Sequence, residues 1–134
     1  MIKIEISVGE LFDKISILEI KKNKIKNSLK LDNIHKEHKL LNEICDNLYS
    51  ENDNQFYKFK KMLFDVNSKL WEIEDKIRIH EQESKFDEDF IKLAREVYKV
   101  NDERFNIKTL VNEYYDSDII EEKEYVNYLQ PKNN

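Results

Sequence analysis

The chain has one glycine, one proline and one cysteine in 134 residues. Without glycine and proline there is little to form the tight turns that join short strands, so composition excludes a β-rich fold and favours helix. The lone Cys45 excludes an intrachain disulfide framework and suits a reducing compartment, so a cytoplasmic location is expected. No apolar run approaches the length of a membrane span, and no signal-peptide pattern opens the chain. An excess of positive charge is missing too: 23 Lys and Arg stand against 28 Asp and Glu, a net charge of −5. A duplex nucleic-acid binder ordinarily presents a basic surface, so no nucleic-acid partner is expected. The local run Lys21, Lys22, Lys24 and Lys26 reads as a solvated helix face. Glycine-rich phosphate loops and nucleophile elbows are absent from the sequence.

What is present is amphipathic. Hydrophobic residues make up 40% and charged residues 38%, as helices with one buried stripe and one solvated face require. Seven Tyr, seven Phe and one Trp argue against disorder. The length fits one domain, residues 1–134, able to bury a core without metal or disulfide staples. The expected architecture is all-α: an antiparallel bundle of about four main helices, a short extended N-terminal segment and a short C-terminal helix.

Ile2, Ile4 and Ile6 alternate with Lys3 and Glu5, the period of a short strand or extended lead-in. Ser7 and Glu10 form a capping box for a first helix over Val8 to Leu29, with Leu11, Phe12, Ile15, Leu18, Ile25 and Leu29 inward. A second helix starts at Asp32 or Asn33 and reaches Tyr49, burying Ile34, Leu41, Ile44 and Leu48. Asn52 with Gln55 opens a third that ends at Glu83. Its Phe56, Phe59, Leu63, Val66, Leu70, Ile73 and Ile77 alternate steps of three and four, a seam for a partner helix. Asp87 caps a fourth helix running to Tyr115, and Phe86 is expected to staple onto Ile91. Asp118 and Glu121 open the last short helix, which ends near Gln130 before Pro131.

The pattern breaks on the fourth helix. Its inward line Phe90, Ala94, Val97 continues through Asn101, Arg104 and Lys108 before Val111 restores an apolar residue. Polar groups on a core line cost several kcal/mol unless they reach water or partners. The third helix offers such partners, because Asn67, Trp71, Glu74 and Arg78 recur at helical spacing with Asp75 beside them. A hairpin about residues 84–87 sets Asn67 level with Arg104 and Glu74 level with Val97. The expected network therefore pairs the Asn67–Arg78 line with Tyr98, Asn101, Asp102 and Arg104. Glu10, Asp13 and Lys14 lie beside the first helix's apolar stripe and extend the site or form a surface ion pair. His35, His38 and Cys45 share one side of the second helix, but zinc needs more ligands in separated pairs, so no metal site is expected.

Three segments, Ser7–Glu19 (SVGELFDKISILE), Asn67–Arg78 (NSKLWEIEDKIR) and Leu93–Arg104 (LAREVYKVNDER), resemble a family of short bacterial and viral helical domains of unknown function. Such domains also occur fused or adjacent to glycosyltransferase-like proteins. The second and third segments are similar to a longer uncharacterised helical family of surface-polysaccharide gene sets. The resemblance covers nearly the whole chain and falls on Glu10, Asp13, Lys14, Asn67, Trp71, Glu74, Asp75, Arg78, Arg95, Tyr98, Asn101, Asp102, Arg104 and Lys108. It implies a role in glycan assembly and names no reaction or cofactor.

Two functional expectations follow. One is an enzyme or binder of an anionic, sugar- or nucleotide-linked small molecule. Arg78, Arg95, Arg104 and Lys108 would hold phosphate or carboxylate, Glu74 or Asp102 would be the general base, and Trp71 or Tyr98 a stacking wall. A narrower form, an all-α nucleoside triphosphate pyrophosphohydrolase, has Glu72, Glu74 and Asp75 but lacks the usual second acidic pair. The other is a non-catalytic interaction module that docks onto a glycosyltransferase or self-associates as a homo-oligomer. It would use the third-helix seam or Tyr114, Tyr115, Tyr125 and Tyr128.

Overall fold

The computed structural model describes residues 1–49 and 53–129. The fold is all-α, built from α1 (Val8–Lys24), α2 (Ser28–Leu48), α3 (Asn54–Gln82) and α4 (Glu88–Tyr114). Each begins at a side chain able to accept from the first free backbone N–H groups: Ser7 from Glu10, Asn27 from Lys30, Asp53 from Gln55 and Asp87 from Phe90. Caps of this kind contribute about 1 kcal/mol each. Glycine is lacking where α3 and α4 end. Ser84 and Asp116 take the left-handed position instead, at φ 53° and 50°. Lys85 N–H then reaches His80 O, and Ser117 N–H reaches Asn112 O, both at 2.9 Å, closing the last turns in Schellman fashion.

Contacts between elements fix their directions. Phe59 meets Tyr114 near one end of the α3–α4 pair and His80 meets Phe90 near the other, so these helices run antiparallel. Glu10 contacts Lys108 while Asp13 contacts Arg104, so α1 is antiparallel to α4 as well. Among the described residues α1 packs on all three other helices, whereas α2 has close helix contact with α1 alone. The seam of α3 is buried from Phe56 to Ile73. Phe12 anchors an aromatic cluster with its ring centroid 5.5 Å from Phe56, 5.7 Å from Tyr49 and 5.5 Å from Tyr115. Burying a Phe side chain stabilises by about 1.5–3 kcal/mol, which makes α1 the centre of the core.

Several expectations are corrected. The first helix stops at Lys24, with Ile25 as its cap, because Asn27 accepts from Lys30 N–H and starts α2, so Leu29 lies in the first turn of α2 and is exposed instead of ending α1. With only α1 beside it, α2 buries Ile34 and Cys45, and Ile44 and Leu48 stay exposed. Phe86 does not staple onto Ile91; it stacks edge-on against Phe90 at 5.3 Å, while Ile91 faces water. Ala94 is exposed because Leu93, Val97 and Val100 take the inward line. Residues 117–129 form no helix. A lone last helix of this length has little intrinsic stability, and the segment instead ties back to α4 through Glu121 and Tyr128. The proposed cap Asn52 and the end at Gln130 and Pro131 lie outside the described residues.

Candidate functional site

The polar residues on the core line of α4 do find partners, and those partners are on α1. Asp13 is fully buried. Its Oδ1 accepts from Arg104 Nε at 2.9 Å and from Asn67 Nδ2 at 2.8 Å, and its Oδ2 accepts from Arg104 Nη2. Asn67 Nδ2 also donates to Ser16 Oγ at 2.8 Å, and Ser16 Oγ donates to Asp13 O at 2.7 Å. One carboxylate thus joins α1, α3 and α4. The expected direct pairing of Arg104 with α3 carboxylates is replaced, because α1 lies against both helices and brings Asp13 nearer.

One turn away, Lys108 Nζ sits between Glu10 Oε2 at 2.7 Å and Glu121 Oε2 at 2.6 Å, with only 7% of its side chain exposed. Lys14 lies 3.6 Å from Glu10 Oε1 on the outer edge. The close approach of α1 to α4 depends on Gly9, the chain's one glycine. Its N–H donates to Asn112 Oδ1 at 2.7 Å, and a Cβ there would stand 2.6 Å from Lys108 O. Burial works to lower the Lys108 pKa, but the hydrogen bonds it donates to Glu10 and Glu121 and the negative charge of Glu10 and Asp13 outweigh it and raise it. The Asp13 hydrogen bond raises that of Arg104 against its own burial. Both side chains are therefore fixed cations.

Above the Asp13 knot opens a cleft of about 600 Å³. Ile17 and Ile20 of α1 form its apolar flank, α3 supplies Asn67, Leu70, Trp71, Glu74, Asp75 and Arg78, and α4 supplies Asn101 and Arg104. Arg78 Nη1 lies 3.2 Å from Glu74 Oε2, an exposed pair one helical turn apart on the rim. The guanidinium of Arg104 is held from behind through Nε and Nη2. Seven sequence candidates thus share one cleft: Asn67, Trp71, Glu74, Asp75, Arg78, Asn101 and Arg104.

The others are placed elsewhere. Tyr98 and Asp102 face a neighbouring cleft of about 540 Å³, bounded also by Val97, Asn101, Lys123, Tyr125, Val126 and Tyr128. There Tyr128 Oη donates to Asp102 Oδ2, and the Tyr98 and Tyr128 rings meet edge-on at 4.9 Å. Of the two carboxylates named as general bases, Glu74 is the one in the Trp71 cleft. Arg95 is exposed and lines neither cleft. Asp13, and one turn further Lys108 with Glu10, lie behind the site as its support, whereas Lys14 is exposed and borders the groove between the N-terminal segment and α2. Tyr115 is half-buried against Phe12 and Tyr49, so the four tail tyrosines do not form one patch. Among the described residues no three His, Cys, Asp or Glu side chains converge as metal ligands.

Sequence reasoning missed Ser16, Asn112, Ser117, whose Oγ accepts from Val8 N–H at 3.1 Å, and the pairing of Glu121 with Lys108. Ser16 stands one turn from Asp13, and Asn112 continues the Asn101, Arg104, Lys108 line by another step of four, so helical spacing held the signal for both. For Ser117 and Glu121, beyond the end of α4, it held none. No helix of the structure is long and apolar enough to cross a membrane among the described residues. A family described as a family of unknown function (DUF6165) matches residues 2–132. No curated protein and no solved structure matches the chain.

Proposed function

The chain belongs to this family of unknown function, DUF6165, and on that footing we propose that the Trp71 cleft binds a sugar-linked anionic small molecule of glycan biosynthesis. The observation that carries this reading is the composition of the cleft wall: one tryptophan among two carboxylates, two guanidinium groups and two amides. Asp13 already balances Arg104, Glu74 balances Arg78 and Asp75 adds a further carboxylate, so the cleft has no net positive charge for a bare anion. It offers instead closely spaced donors and acceptors beside a flat aromatic face. Hydroxyl groups of a sugar match such donors and acceptors, and its C–H faces match the electron-rich face of the indole. A phosphate or carboxylate on the same molecule fits Arg78 and the free edge of Arg104. Glu74 is the carboxylate positioned to accept a proton from a bound hydroxyl.

Trp71 is the one tryptophan in the chain, so its fluorescence reports on the cleft directly. Sugar nucleotides, sugar phosphates and inorganic phosphate would be titrated while both Trp emission and thermal stability are followed. The expected result is a saturable emission change and stabilisation by a sugar-linked phosphate, with inorganic phosphate much weaker. Arg78→Ala and Glu74→Gln should abolish both signals and leave the melting temperature of the free protein nearly unchanged, because that ion pair is exposed. No response to any of these compounds removes the ligand-binding reading.

A further inference from the structure

The N-terminal segment takes no part in the Trp71 cleft. Residues 1–7 lie outside any helix or sheet, and none is in left-handed backbone. Among the described residues no hydrogen bond is made to the backbone of residues 1–6, so this row of donors and acceptors has no protein partner. Ile2 is 91% exposed and Ile4 77%. These side chains border a groove of about 590 Å³ whose other wall is α2, where Leu40, Ile44 and Leu48 recur every four residues and are all exposed. An unpaired strand-like segment beside an apolar helix face is a template for strand addition.

The sequence says which strand fits. Residues 2–6 read Ile-Lys-Ile-Glu-Ile. Two copies laid antiparallel about Ile4 set each Lys3 opposite the other copy's Glu5 and each Ile2 opposite the other's Ile6. Every pair is then apolar with apolar or cation with anion. Among the described residues neither Lys3 nor Glu5 has an ion-pair partner within its own chain. We propose that residues 2–6 pair with the same residues of a second copy of this chain, forming a two-fold antiparallel ribbon whose isoleucine face covers the α2 grooves. A two-stranded ribbon is marginal by itself in water, and the Leu40, Ile44 and Leu48 face supplies the layer it needs. This surface is independent of the Trp71 cleft, and neither reading rests on the other.

Light scattering and sedimentation equilibrium across a range of protein concentrations test the register through charge. Lys3→Glu places carboxylate against carboxylate at both crossing pairs, and Glu5→Lys places ammonium against ammonium. Each variant should self-associate about tenfold more weakly than the wild type. Mixing the two variants restores opposite charges at every crossing, so the mixture should dimerise like the wild type, as should the Lys3→Glu/Glu5→Lys double variant. Both positions are exposed, and circular dichroism would show the helices unchanged. A wild type that stays monomeric throughout overturns the proposal. So does a dimer indifferent to the single charge reversals, which would place its interface elsewhere.

Discussion

Asp13 and Arg104 join α1 to α4 through two parallel hydrogen bonds, with the carboxylate fully buried and 29% of the guanidinium side chain still in contact with solvent. The asymmetry decides what each truncation does. Asp13→Ala strips Arg104 of its counter-ion and Asn67 of its acceptor, which should destabilise the fold by about 3 kcal/mol, the low end for a buried pair because Arg104 stays partly hydrated. Arg104→Ala leaves Asp13 buried with Asn67 as its remaining side-chain donor and should cost a comparable amount. The double variant should cost clearly less than the two combined. Urea unfolding of all four proteins measures the coupling, and strict additivity would show that the pair does not act as a unit.

Gly9 sets how near those two helices approach. A methyl group at this position meets Lys108 O at 2.6 Å and Asn112 Oδ1 at 3.0 Å, the first being backbone that cannot swing aside. Glycine to alanine favours a helix by roughly 0.5–1 kcal/mol in its interior and by less in the first turn, where Gly9 lies. Here the displaced α1 should reverse the sign, giving a net loss of about 1–3 kcal/mol in chemical denaturation. A stabilised Gly9→Ala protein would mean that the contact yields without cost.

The left-handed residues at the helix ends work the other way. Ser84 holds φ at 53° to let Lys85 N–H close the last turn of α3, a backbone region in which a Cβ is unfavourable. Ser84 is exposed, so a change there removes no packing. Ser84→Gly should therefore raise unfolding free energy by about 0.5–1 kcal/mol, even after the greater chain entropy of glycine in the unfolded state. An unchanged or lower midpoint in thermal melts would count against strain at this turn.

The near absence of glycine makes the helical class plain, and it did not hide the ends of α3 and α4: the expected Glu83 and Tyr115 stand one residue beyond Gln82 and Tyr114. The apolar line stops there even though Ser84 and Asp116, not glycine, take the left-handed positions. The α3 seam was legible because Phe56 to Ile73 is buried on one continuous line. Ile44 and Leu48 misled for the opposite reason: their spacing is helical, yet α1 alone packs against α2 and covers only part of its apolar face. For the site, the run Asn101, Arg104, Lys108 marked the right helix face. Its partners were misassigned because sequence spacing places residues along a helix but says nothing of which third helix enters the groove between two others. Asp13 was named, but its central position required the packing of α1 against both α3 and α4.

The segment after α4 is tied back by a bond that titration can follow. Tyr128 Oη donates to Asp102 Oδ2, and the loss of that hydrogen bond on ionisation, more than the meeting of two negative charges, pushes its pKa up to about 12 from 10.0. For an acid whose folded value is raised, the stabilising contact is complete below the ordinary value near 10 and is lost as pH climbs through about 12. Tyr115 is also pushed to about 12, but chiefly by burial, and so serves as an internal control. In a tyrosinate absorbance titration, Asp102→Ala should move one late-titrating phenol down toward 10 and leave the Tyr115 step in place. The same substitution should speed amide exchange at residues 121–129 at neutral pH without altering the core of α3. If the late absorbance step is unchanged by Asp102→Ala, then Asp102 does not hold Tyr128, and the segment is retained by its other ties to α4, Glu121 with Lys108, Lys123 over the Phe105 ring and Tyr128 against Tyr98.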